Sequence, residues 1–106
     1  WARAGDNQGL LLEILQLVPI EFARLMNDIP LAIARSDLQA FRSSAHTVKG
    51  AAGNLGASGT YSAAGQLERN AATGKIELVN DSLYSLQMQV AELCREVEAF
   101  CRELRD

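Results

Sequence analysis

His46 is the single histidine of the chain, and its neighbours have the types and spacing that phosphoryl chemistry on a ring nitrogen requires. It lies in a segment where Leu38, Phe41, Ala45, Val48, Ala52 and Leu55 recur at steps of three and four, the signature of an amphipathic helix. At about 100° per residue, the apolar stripe centres between Ala45 and Val48, and His46 falls roughly 125° from that centre. The imidazole is therefore expected to face water. Gly50 and Gly53 follow it at i+4 and i+7 on the same side, and Arg42 and Lys49 flank that side. A glycine inside a helix costs ~1 kcal/mol relative to alanine, and both are placed away from the stripe. The outcome is an exposed nucleophile, a strip cleared of side chains for another protein's backbone, and nearby cations. A phosphoryl group carried on an imidazole needs all three. Free histidine titrates near ~6.5, so the neutral ring is available as a nucleophile near neutral pH.

The elements that must hold this site are helical throughout, because no segment sustains period-two alternation. A first helical region follows Asp6, a candidate N-cap, with Leu11, Leu15, Val18, Phe22, Leu25 and Ile29 on one stripe. Leu10, Ile14 and Leu17 widen its apolar face, so cover on two sides is expected there. Pro19 is a candidate kink. Asp28 ahead of Pro30 reads as a stop and restart, since proline suits a first helical turn, giving a short extra helix to about Arg35. Ser36-Asp37 starts the helix of His46, and Leu55-Gly56 ends it. The next helix runs from Ala57 to about Thr73 with Thr60, Ala64, Leu67 and Ala71 inward, and Gly74 stops it. The last segment carries Ile76, Val79, Leu83, Leu86, Val90, Leu93, Val97, Phe100 and Leu104 in unbroken steps of three and four, with Asn80-Asp81 as a candidate break or cap. The expected fold is all-α, an antiparallel four-helix bundle with a short extra N-terminal helix.

Composition narrows the function. The 106 residues fit one domain. Apolar residues at 48% and charged residues at 22%, with both signs interspersed, describe a folded chain. A net charge of −3 offers no broad attraction to nucleic acid or an anionic membrane. No apolar run approaches the ~20 residues of a membrane span. Cys94 and Cys101, seven apart on one helix, are separated by ~10.5 Å along the axis, too far for a mutual disulfide. Two reduced thiols point to a reducing compartment, and a cytoplasmic location is expected. One histidine and no CxxC leave no zinc site. The chain begins at Trp1, which reads as an excised piece of a longer protein or a processed end.

The run Ala45-His46-Thr47-Val48-Lys49-Gly50-Ala51-Ala52-Gly53-Asn54-Leu55-Gly56-Ala57 resembles the signature of histidine phosphotransfer (HPt) domains of bacterial multistep phosphorelays. Leu11 to Asp37 is similar to that family's leading helices. Gln66-Leu67-Glu68 followed by Ala71 and Gly74 is similar to its next helix, so the likeness covers nearly the whole chain. The resemblance implies that His46 is the phosphoacceptor through Nε2, that Lys49 holds phosphoryl oxygens, and that Gly50 leaves room for the docking partner. It further implies that Glu68 orients the ring through Nδ1, and that Arg42, Gly53 and Gln66 make rim contacts. Thr60 stands where relatives often have a larger apolar residue, so packing should differ there. The implied partners are receiver domains: the aspartyl phosphate of one donates to His46 and the aspartate of another accepts. No cofactor is expected on this chain, with Mg²⁺ belonging to the receiver. The implied setting is the C-terminal domain of a hybrid sensor kinase, and a monomer when isolated.

Gly50-Ala51-Ala52-Gly53 is no Walker loop, because Lys49 precedes it rather than closing a Gly-x-x-x-x-Gly-Lys pattern. Phosphorylation from ATP by this domain itself is therefore not expected. Three other classes stay open: a helical interaction module without the chemistry, a coiled-coil dimer built on the C-terminal heptads, and a histidine-based enzyme with Glu68 as the second group.

Overall fold

The computed structural model describes the backbone of residues 4–105 and the side chains of residues 8–105. Its helices are α1 (Ala4–Ala34), α2 (Leu38–Leu55), α3 (Ser58–Thr73) and α4 (Ile76–Arg105). Connections of two or three residues force each helix antiparallel to the one before. α1 packs on α2 and α4, α2 on α3, and α3 on α4, which closes an up-down-up-down ring. Phe22 and Ile29 of α1, Val48 of α2, Leu67 of α3 and Leu86 of α4 meet as the largest fully buried side chains. Each contributes roughly 1.5–3 kcal/mol of burial free energy.

The expected stop at Asp28 and restart at Pro30 does not occur; both prolines lie inside one 31-residue α1. Leu25, Ile29 and Ala32 are all buried, so the core grips the helix on either side of Pro30. Their combined burial exceeds the ~3 kcal/mol that an interior proline costs. There is accordingly no short extra helix. α1 also begins before Asp6, which lies within its first turn rather than at its cap. Asn80 and Asp81 likewise leave α4 unbroken.

The remaining boundaries follow local chemistry. Ser36 takes a left-handed φ of 55°, and the Ser36 and Asp37 amides donate to Ile33 and Ala32 carbonyls at 3.0 and 2.9 Å. These close α1 without a glycine. The Asp37 carboxylate then accepts from the Ala40 amide at 3.0 Å, capping α2. Gly56 and Gly74, at φ of 70° and 71°, end α2 and α3. Thr60 is buried, and its hydroxyl donates to the Gln89 carbonyl at 3.4 Å. The small residue thus leaves room for α3 to approach α4 at Gln89.

α1 and α4 are nearly twice as long as the other two helices, and the molecule measures 53 × 20 × 17 Å. Beyond the α2–α3 connection, α1 and α4 continue as a pair. Leu10, Ile14 and Leu17, expected to be covered on two sides, are more than half exposed in this extension. Leu11 and Phe100 are also exposed, while Cys101 is buried against α1 in place of Phe100. With only two helices present, there is no second layer to cover the wider face. No helix among the described residues is long and apolar enough to cross a membrane.

Candidate functional site

His46 projects from the middle of α2 with its side chain 73% exposed. The neighbouring turns explain why: Ala45 and Val48 are fully buried, and their burial turns the intervening residues outward. An open hollow beside the ring is lined by Leu38, Gln39, Arg42, Ser43, His46 and Glu68. Glu68 reaches it from α3. Its Oε1 lies 3.5 Å from His46 Nδ1 and 3.5 Å from Lys49 Nζ. Both separations exceed a formed N–H···O bond of ~2.7–3.2 Å, and this buried oxygen makes no hydrogen bond. It is thus a carboxylate oxygen poised between two nitrogens and committed to neither.

Lys49 is only 28% exposed for so long a side chain. Its ammonium lies 5.5 Å from the centroid of the Tyr61 ring, within range of a cation–π contact. A Cβ on Gly65 would sit 3.8 Å from Lys49 Cδ, so the lysine stem crosses α3 at that glycine. A Cβ on Gly53 would lie 3.4 Å from the Tyr61 ring. Gly53 thus faces Tyr61, although it was expected to be part of a bare landing strip. A Cβ on Gly50 would meet nothing within 4 Å, so that position is open.

Arg42 is exposed and lines the hollow with His46. Gln66 does not line it. Its amide donates to Asn70 at 2.9 Å and accepts from Arg69 at 3.0 Å, which ties it along α3. Asn70 in turn donates to Ser82 at 3.0 Å and so links α3 to α4. Tyr61 and Gly65 are the members of the site that sequence reasoning passed over. The available signal was their spacing with Glu68: positions 61, 65 and 68 form an i, i+4, i+7 stripe on one face of α3.

The exposed histidine, the adjoining cation and the glycine clearing one turn away stand together on a helix of a four-helix ring, and residues 13–99 match the family model of the Hpt domain. The chain belongs to the Hpt domain family. No curated protein matches it, and no solved structure does. Hpt domains take part in histidine phosphotransfer in two-component phosphorelays, as phosphoryl carriers rather than enzymes, and receiver domains are their partners. In this Hpt domain the hollow beside His46 is bordered by apolar Leu38, the Arg42 guanidinium and the Glu68 carboxylate.

Proposed function

We propose that this Hpt domain accepts a phosphoryl group from the aspartyl phosphate of one receiver domain onto Nε2 of His46 and passes it to the aspartate of another. The observation that carries the reading is the pairing of an exposed imidazole with a carboxylate 3.5 Å from Nδ1. That carboxylate favours the tautomer with its proton on Nδ1, leaving the Nε2 lone pair free and facing outward. The lone pair attacks phosphorus as the bond to the aspartyl oxygen breaks, and the aspartate leaves as a carboxylate. Positive charge then resides on the ring with the proton still on Nδ1, where Glu68 stabilises it. Reversal toward a second aspartate needs no proton transfer.

Phosphoryl transfer depends on positioning and charge neutralisation. Lys49, one turn beyond His46, supplies a cation for the phosphoryl oxygens. Gly50 admits the partner's backbone, and Arg42 meets acidic groups at the rim. The metal ion and remaining catalytic groups belong to the receiver in this reading. Contact should be brief, because a shuttle must release.

The test is transfer of label from phosphorylated receiver domains to this chain and to His46→Gln. Label on the wild type alone, labile to acid and stable to base, supports His46 as the carrier. No label from any of several receivers, with the helical fold intact, leaves a protein-interaction module instead.

A further inference from the structure

His46, Lys49 and Gly53 form an i, i+3, i+7 stripe on α2, and Tyr61, Gly65 and Glu68 form an i, i+4, i+7 stripe on α3. The helices run antiparallel, so the stripes meet in reverse order as three rungs. His46 meets Glu68 at 3.5 Å. Lys49 lies across Gly65, and Tyr61 lies over Gly53. In each of the last two rungs, a large side chain on one helix occupies the space opposite a glycine on the other.

The arrangement bears on a conflict at Glu68. Both Lys49 Nζ and His46 Nδ1 are 3.5 Å from the same oxygen. If the ammonium closed fully onto Oε1, its charge would offset that of the carboxylate, and the histidine would be less well supported as the ring becomes positively charged. The face of Tyr61 offers the ammonium a second site of negative potential, and Gly65 lets the stem lie flat enough to reach it. We infer that Tyr61 is a positioning residue for phosphoryl transfer: its ring, seated on Gly53, holds Lys49 beside Glu68 but short of closing onto the oxygen that faces His46. This rests on the phosphocarrier reading of the site and names a residue that the motif around His46 does not contain.

The experiment compares transfer rates from a phosphorylated receiver domain to wild type, Tyr61→Leu, Tyr61→Phe and the pair Tyr61→Leu with Lys49→Met. Tyr61 is 45% exposed, so all variants should fold, and thermal unfolding checks that they do. Tyr61→Leu is expected to slow transfer roughly two- to fivefold, the worth of a partly exposed cation–π contact. Tyr61→Phe restores the rate, because the ring face is kept. Tyr61→Leu has no further effect once Lys49 is Met. In parallel, the Lys49 side-chain methylene resonances are expected upfield in wild type and Tyr61→Phe, and shifted back in Tyr61→Leu. A wild-type rate in Tyr61→Leu overturns the inference while leaving the carrier reading intact, as does a Tyr61→Phe variant as slow as Tyr61→Leu. Absence of label on the wild type overturns the carrier reading and the positioning role with it, whatever the resonances show.

Discussion

Gly50 separates a functional cost from a structural one. It lies inside α2, where a glycine is about 0.8–1.0 kcal/mol less favourable than alanine. A Cβ there would touch nothing within 4 Å, so the fold gains nothing from its absence. Gly50→Ala should therefore stabilise the domain by close to the full propensity difference, about 1 kcal/mol. For a domain of this size that is a rise in melting temperature of about 4–8 °C. Gly50→Gln should also stabilise, by somewhat less, while placing a side chain over the surface one turn from His46. Its label transfer from a phosphorylated receiver should fall at least ~10-fold, equivalent to ~1.4 kcal/mol of lost docking. Thermal unfolding and a transfer time course on the same preparations give both quantities. Gly56→Ala serves as the contrast, because a φ of 70° makes the added Cβ strained there, and it should lower the melting temperature. The reasoning is refuted if Gly50→Ala melts below wild type. It is equally refuted if Gly50→Gln is more stable and transfers at the wild-type rate.

The other expectations concern helix ends and a thiol. Ser36→Gly relieves a left-handed non-glycine residue at the end of α1 and should add about 0.5–1 kcal/mol in urea unfolding; no gain would mean that the turn is held without strain. Asp37→Ala removes the cap on the Ala40 amide and should cost about 1 kcal/mol, while Asp37→Asn should recover most of it. For Cys94, burial first and then the charge of Glu98 push the thiol up from its ordinary range. The reactive thiolate is scarcer than in the unfolded chain at any pH near 8, and alkylation in a Cys101→Ala background should be slower than in urea and rise only at higher pH. Equal rates folded and unfolded would contradict that environment.

Much of this architecture is legible in the sequence, because it rests on local rules. The Asp37 cap, the ends at Gly56 and Gly74, and the inward set Thr60, Ala64, Leu67 and Ala71 each follow from a residue type at a spacing. So does the outward turn of His46. The failures share a different cause. Pro30 reads as a break when only its own turn is considered, yet Leu25, Ile29 and Ala32 hold the helix through contacts with other helices. Phe100 fits the heptad of α4, but burial depends on whether another helix lies opposite, and near that end Cys101 faces α1 instead. Gly53 could be assigned to a surface but not to a neighbour, since only the packing of α3 on α2 brings Tyr61 over it. Tyr61 and Gly65 carry no signal until the two stripes are known to face each other.

The paired extension of α1 and α4 has a consequence for tethering. Both helices leave the four-helix section in the same direction, so Ala4 and Arg105 lie together at one pole of a 53 Å rod. His46 lies nine residues below the last residue of α2, and α4 continues about fourteen residues past that level, which at 1.5 Å per residue places the pole ~35 Å from the imidazole along the axis. If His46 is the carrier, a partner whose connector leaves the rod at that pole needs at least ~10 extended residues to draw level with it, and a flexible connector matches that span only near ~40 residues. Shorter tethers hold such a partner away from the histidine however high its local concentration, and longer ones dilute it. Under the carrier reading, the paired extension therefore acts as a spacer, and a partner held at that pole reaches His46 only through a connector that spans ~35 Å.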